Sequence, residues 1–154
     1  MLEKISKDFV IDHRTRHVEG LPPLSHSHQF NEIYFLQSGK CHVYIENEKY
    51  TLEDGSVLFI PAFKEHTFVY YDTVDVKRTV LYISTEQLNW YFDDNFNEEI
   101  DNLFINRHIK LSRKSFSNLS SLFEKIQFEK YNIDNLSAPL TKAYFFEMII
   151  YIIR

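Results

Sequence analysis

The chain has 154 residues, enough for one domain or one domain with an extension, and its 44% hydrophobic content, with 14 Phe and 10 Tyr, allows a sizeable core. A formal net charge of −5 with scattered basic residues excludes an electrostatic footprint for nucleic acid, and a lone cysteine excludes an internal disulfide. The N-terminus lacks the long apolar core of a signal peptide. The most apolar stretch, 143–153, is too short to span a bilayer and contains Glu147, so a cytoplasmic soluble protein with no membrane partner is expected.

Residues 9–11 read as a short strand. The following "DHRTRHVEG" gathers His13, Arg14, Arg16 and His17. Solvated charges on an exposed arm or edge strand explain them, since charged edges resist aggregation. The sharper alternative is an arm closing over a ligand, with Arg14 or Arg16 binding an anionic or hydroxylated group. Gly20-Leu-Pro22-Pro23 predicts a rigid turn.

From 26 to 84 the pattern is strands broken by turns. Strands are expected at 32–36, 41–45, 49–52, 56–60, 67–71 and 77–83, with turns at 37–39, 46–48 and Asp54-Gly55. Along 41–45, Cys41, Val43 and Ile45 share one face and His42 and Tyr44 the other, so Cys41 reads as a packed thiol rather than a nucleophile. Many short strands with regular turns indicate an all-β sandwich or barrel.

After Ser84 the pattern turns helical. Ser84 and Gln87 make a capping box, and Leu88, Tyr91 and Phe92 follow on one face. Phe96, Ile100, Leu103 and Phe104 also have helical spacing, and 108–111 reads as one last strand. The short basic cluster Lys110, Arg113 and Lys114 reads as a solvated helix start. Ser112 then caps an amphipathic helix with Phe116, Leu119, Leu122, Phe123 and Ile126 as its stripe. Residues 132–136 form a loop, and Ser137 is expected to cap a final helix with Pro139 in its first turn. That helix, 140–154, is apolar almost all round and needs a second surface, most simply a homodimer seam. The chain stops on "IIYIIR" without a Gly or Pro stop signal, as if a linker and another domain followed.

The chemistry concentrates in "HSHQFNE". His26, His28, Phe30 and Glu32 are spaced in twos, so on one extended strand they share a face. Two imidazoles and a carboxylate, with His66 downstream as a fourth ligand, suit one divalent metal. The alternative is that His26 and His28 are hydrogen-bonded lining residues. By the same parity Tyr34 and Leu36 share a face with Glu32, and Phe68 and Tyr70 share one with His66. If the histidines point inward, these residues line a small-molecule pocket.

Gly20-x5-His26-x-His28-x3-Glu32-x6-Gly39 follows the spacing of the first cupin motif. Gly55-x5-Pro61 and His66 follow the second, with Phe63 where the motif has glycine and Tyr70 where it has asparagine. The chain therefore resembles cupins, whose four ligands map onto His26, His28, Glu32 and His66. The stretch "HSHQFNEIYFLQSGKCHVYIENEKYTLEDGSVLFIPAFKEHTF" further resembles the N-terminal sensor domain of AraC/XylS-type transcription regulators.

The resemblance implies a mainly β fold with an α tail: a cupin double-stranded β-helix (jelly-roll) barrel followed by two to three helices. Residues 1–84 would form the barrel with its N-terminal arm. Residues 85–154 would form the helical tail, with the last strand near 108–111 and dimerisation helices at about 113–131 and 138–154. It also implies a small-molecule effector, a sugar or related metabolite, and a homodimer through the C-terminal helices, with Trp90 at the contact. DNA would be bound only through a C-terminal helix-turn-helix domain absent from this chain. A metal, if held, would be Zn or Ni ahead of Fe or Mn. The competing readings are a small metal-dependent cupin enzyme of isomerase or dioxygenase type, and a stand-alone binding protein.

Overall fold

The computed structural model describes residues 9–16, 24–71, 75–92 and 96–154. The expected turn at 20–23 and His17 lie outside the described residues, as does the side chain of Arg16. Nine strands form two antiparallel sheets: β1 (Phe9–Arg16), β2 (Ser25–His26), β3 (Phe30–Ser38), β4 (Lys40–Ile45), β5 (Glu48–Glu53), β6 (Ser56–Ile60), β7 (His66–Tyr70), β8 (Val76–Ser84) and β9 (His108–Lys110). One sheet runs β1-β8-β3-β6-β9 and the other β2-β7-β4-β5. They stack as a β-sandwich, the architecture that the cupin resemblance implies.

The helices are α1 (Thr85–Phe92), α2 (Asn97–Asn106), α3 (Arg113–Tyr131) and α4 (Ser137–Ile153). There are thus four among the described residues, where two to three were expected. α1 and α2, of 8 and 10 residues, correspond to the two short helical periodicities, Leu88, Tyr91 and Phe92 in the first and Ile100, Leu103 and Phe104 in the second.

The five-stranded sheet is buried on both faces. Its central strand β3 is buried without interruption from Asn31 to Leu36, the pattern of a strand covered on two sides. Ile33, Phe35, Val57, Phe59, Leu81 and Ile83 face the helices in one core. Tyr34, Leu36, Leu58, Ile60 and Val80 face the second sheet, meeting Cys41, Val43, Ile45 and Leu52 in another. β4 alternates as expected, with Cys41, Val43 and Ile45 inward. Its outer face is exposed to water.

Two turns depend on backbone freedom. Gly39 sits at φ +108, where an added Cβ would lie 2.5 Å from the Asp75 carbonyl oxygen. Gly55 sits at φ +82 after Asp54, whose carboxylate accepts the Gly39 N–H at 2.7 Å. Only glycine occupies such positions without strain.

The helix starts divide. Ser112 accepts the Ser115 N–H at 3.2 Å and caps α3 as expected. Ser84 accepts the Gln87 N–H at 3.2 Å in the same way. Ser137 does not cap α4: it is the first helical residue, Leu136 is the N-cap, and the Ser137 hydroxyl accepts the Asp134 N–H at 2.9 Å. The 132–136 loop curls back, so the serine satisfies the loop rather than the helix. Lys110 is a second correction. It ends β9 and donates to the Asp54 carbonyl instead of opening a helix.

A candidate metal cluster and a polar cavity

The ligand-bearing stretch is not one strand. His26 ends β2 in one sheet, the chain bends at 27–29, and Glu32 lies in β3 of the other sheet. The shared face expected from parity is replaced by a meeting of the β2 edge of one sheet with the central strand of the other. His26 stands directly opposite His66 across β2 and β7, their rings 4.2 Å apart. His28, in the bend, lies 5.3 Å from His66 ring to ring. One ligand atom each from His26, His28, Glu32 and His66 falls within 4.8 Å of the others.

Tautomers follow from the hydrogen bonds. His66 Nδ1 donates to the Lys64 carbonyl at 2.8 Å, and its Nε2 faces Glu32 Oε1 at 3.2 Å. Both nitrogens face acceptors, an arrangement that favours the protonated ring. Burial disfavours that charge, but the Glu32 hydrogen bond and charge outweigh it, and the His66 pKa is raised. Burial likewise pushes Glu32 up, and the hydrogen bonds from His28 and His66 reverse this and hold it at about 2. His28 Nε2 donates to Glu32 Oε1 at 2.5 Å, while its Nδ1 accepts the Phe30 N–H at 3.3 Å. Burial lowers the His26 pKa, which favours the neutral form a metal needs.

The donor set fits a divalent metal. His66 is the best-prepared ligand, because its Nδ1–H is anchored on a backbone carbonyl and its Nε2 is aimed at the cluster. Coordination there would displace a proton. His28 would have to exchange its Nε2–H for a lone pair and give up its bond from Phe30.

A cavity of about 360 Å³ opens beside Glu32, between the sheets. Tyr34, Phe68 and Tyr70 line it, the residues that parity turns inward, together with Arg14, which the sequence reading set on an arm closing over a ligand. Tyr34 stacks on Phe68 with ring centroids 4.8 Å apart, and its hydroxyl meets that of Tyr70 at 3.4 Å. Leu36 does not line it. It is fully buried and packed in the core between the sheets. The inward face of β3 passes from cavity to packed core within four residues, which parity alone cannot show.

Five lining residues escaped the sequence reading, the apolar Leu24 and Val80 and the polar Asp12, Arg78 and Tyr82. Arg78 is only 5% exposed, and its Nη2 donates to Asp12 Oδ2 at 3.2 Å. The alternation Arg78-x-Val80-x-Tyr82 was visible. However, the opposite set Thr79, Leu81 and Ile83 is apolar too, and both faces of β8 are buried, so alternation by itself did not say which face meets the cavity.

The second-motif departure has a structural counterpart. Phe63, standing where the motif has glycine, adopts φ +65, and its N–H donates to the His28 carbonyl at 2.7 Å. Its ring is 76% exposed, so the backbone of a glycine position is retained with the side chain turned outward.

Residues 16–82 match the family described as "Cupin domain". The cupin match thus covers the strands from the end of β1 into β8. It is also 25% identical over 150 residues to the HTH-type transcriptional activator RhaR of Mannheimia succiniciproducens, covering 97% of this chain and 52% of that protein. The chain therefore spans about half the length of this curated relative. Among solved structures, a cupin protein from Bacteroides fragilis matches 55% of this chain and 74% of its own at 21% identity and TM-score 0.47. The DMSP lyase DddQ of Ruegeria pomeroyi matches 52% of this chain and 40% of its own at 25% identity and TM-score 0.46.

Proposed function

We propose that this cupin domain and its helices are the effector-sensing and dimerisation half of an AraC-type cytoplasmic transcription regulator. Residues 1–84 would form the barrel with its arm, and 85–154 the helical tail. DNA would be contacted through a helix-turn-helix domain outside this chain. The effector is a small polar molecule, a sugar or related metabolite, held by Tyr34, Phe68, Tyr70 and Arg14.

The observation that carries this reading is the position of β1. One face of the strand sends Asp12 and Arg14 into the cavity. The other packs on the helices: Phe9 meets Tyr91 and Phe145, the Lys130 ammonium reaches the Phe9 carbonyl, and His13 hydrogen-bonds Gln127. A ligand that draws on Asp12 or Arg14 thus acts on a strand whose back touches α3 and α4. It would shift the populations of their arrangements in proportion to its differential affinity. The similarity to RhaR over nearly the whole chain agrees.

The dimer surface is the outer side of the last helices. Leu136, Leu140, Ile150 and Ile153 stay exposed on or beside α4, and Phe128 and Tyr131 on α3. Trp90 is 52% exposed with the Lys142 ammonium over its ring, near this surface. A second copy supplies the cover these side chains lack. No helix among the described residues is long and apolar enough to cross a membrane.

The test is a thermal-unfolding screen of sugars, sugar acids and aromatic acids, with sedimentation for mass. A ligand at one hundred times its Kd stabilises by roughly 2.7 kcal/mol, an easily read shift. A stabilising ligand whose effect is weakened by Tyr34→Phe, on a dimer, is expected. A ligand-indifferent monomer would sink the reading.

The four-ligand cluster favours a second reading, a metal-dependent cupin enzyme. A bound Zn or Ni would supply a Lewis-acid centre at the cavity's edge. Metal analysis of the purified chain beside His26→Ala addresses it: stoichiometric metal, lost in the variant, and metal-dependent turnover would be required.

A further inference from the structure

We infer that the cavity's occupant carries a carboxylate, held at the end of the cavity formed by Arg78 and Arg14. The inference rests on the effector reading above and specifies the ligand's chemistry. Arg14 and Arg78 are directly opposite one another in the β1–β8 register. Like charges so placed destabilise a sheet. One carboxylate, Asp12, is shared between them: Arg14 Nε lies 3.0 Å and Arg78 Nη2 3.2 Å from the same Asp12 Oδ2.

Arg78 cannot escape the cost by losing its proton, because a guanidinium stays charged in proteins. Its Nε is buried and has no hydrogen-bond partner among the described residues, so the guanidinium is under-satisfied in this wall. The neighbouring acceptors are committed. Asp12 serves the two arginines, and Glu32, at the far end, serves His28 and His66. What remains near Arg78 is neutral: the Tyr34 ring 5.9 Å from its guanidinium, and phenol hydroxyls. Around Arg78 the donors exceed the free acceptors among the described residues, so the complementary ligand brings acceptors and a negative charge. A carboxylate matches the fork of an arginine in geometry and sign. The stacked Tyr34–Phe68 pair offers a flat apolar side to the rest of the molecule.

Isothermal titration of chelator-treated protein with matched pairs tests this: D-glucose against D-glucuronate, D-galactose against D-galacturonate, and benzyl alcohol against benzoate. Removing metal beforehand prevents a metal from capturing the acid. The acid of at least one pair is expected to bind about tenfold or more tighter than its neutral partner, as charge-assisted hydrogen bonds exceed neutral ones. A sugar-acid hit and a benzoate hit distinguish the two sources of the carboxylate. Relative to the neutral partner, Arg14→Gln, at a partly exposed position, should weaken the acid several-fold more. Arg78→Lys, which keeps charge but loses the fork, should weaken it too. Neutral members binding as tightly as their acids would overturn the carboxylate and leave the effector cavity standing. No binding by any member at millimolar concentration, with no hit in the thermal screen, would overturn both.

Discussion

On β3, Ile33 and Phe35 turn toward the helices while Glu32 and Tyr34 turn into the cavity, and β8 and β1 repeat the division with Leu81 against Arg78 and Phe9 against Asp12. The helix side is dry and aromatic. Phe35 stacks on Phe123 at 6.0 Å and meets Phe116 edge-on at 5.2 Å. The cavity side holds a carboxylate clasped by two histidines and an arginine pair sharing one aspartate. The same strands thus carry stability on one face and chemistry on the other. The difference teaches where mutations should act: packing losses should appear behind the sheet and binding losses in front of it.

Phe35→Ala breaks the comparison hardest. It should cost roughly 3–5 kcal/mol in urea unfolding, the range for truncating a buried aromatic, against less than about 1.5 kcal/mol for Tyr34→Phe one residue away, which removes a hydroxyl and its bond to Tyr70. Equal losses at both positions would contradict the division of roles. Paired charges on the far surface of the helices, Leu140→Glu with Ile150→Glu, should leave the unfolding midpoint of the monomer unchanged. They should weaken dimerisation by more than about thirtyfold, as loss of central apolar contacts does; analytical ultracentrifugation reads the outcome.

Acid sharpens the cavity side. Glu32 is held at about 2 against an ordinary 4.5, so its stabilisation is complete above 4.5 and is lost as pH falls from there toward 2. His66 is raised above 6.5, so its share is complete below 6.5 and fades as pH rises through its higher folded value. In chelator-treated protein, Glu32→Gln should flatten the acid limb of the stability profile measured by urea midpoint. A variant that tracks wild type from pH 5 to 3 would contradict the clasp. The smallest effect is expected at Phe63→Gly. Relief of the positive φ and the added chain entropy of glycine are each about 1 kcal/mol or less and opposite in sign, so a shift in stability beyond that would mean the exposed ring has contacts of its own.

Much of this was legible in the chain. Turns at Gly39 and Gly55, the inward set Cys41, Val43 and Ile45, and the stripe Leu119, Leu122, Phe123 and Ile126 all follow from residue type and period. The grouping of His26, His28, Glu32 and His66 also held, though for a different geometric reason than parity along one strand, because the bend at 27–29 divides the motif between sheets. Ser137 misled, since a serine before a proline looks like a cap whether it serves the helix or the loop behind it. Leu36 misled because a strand's inward face does not announce where a cavity ends and packing begins.

By itself the sequence determined the local geometry: which residues alternate, which turns need glycine, where β gives way to α, and which four side chains can ligate a metal. These depend on neighbours a few positions away, or on a motif whose spacing is short. The tertiary structure alone decided that Arg78 joins the cavity, that it faces Arg14 across β1 and β8, and that Asp12 stands between them. Those contacts join residues more than sixty positions apart, through a strand with apolar residues on both faces. Burial on both sides removes the polar-apolar contrast from which orientation is read; only the packing of the second sheet and the helices supplies it.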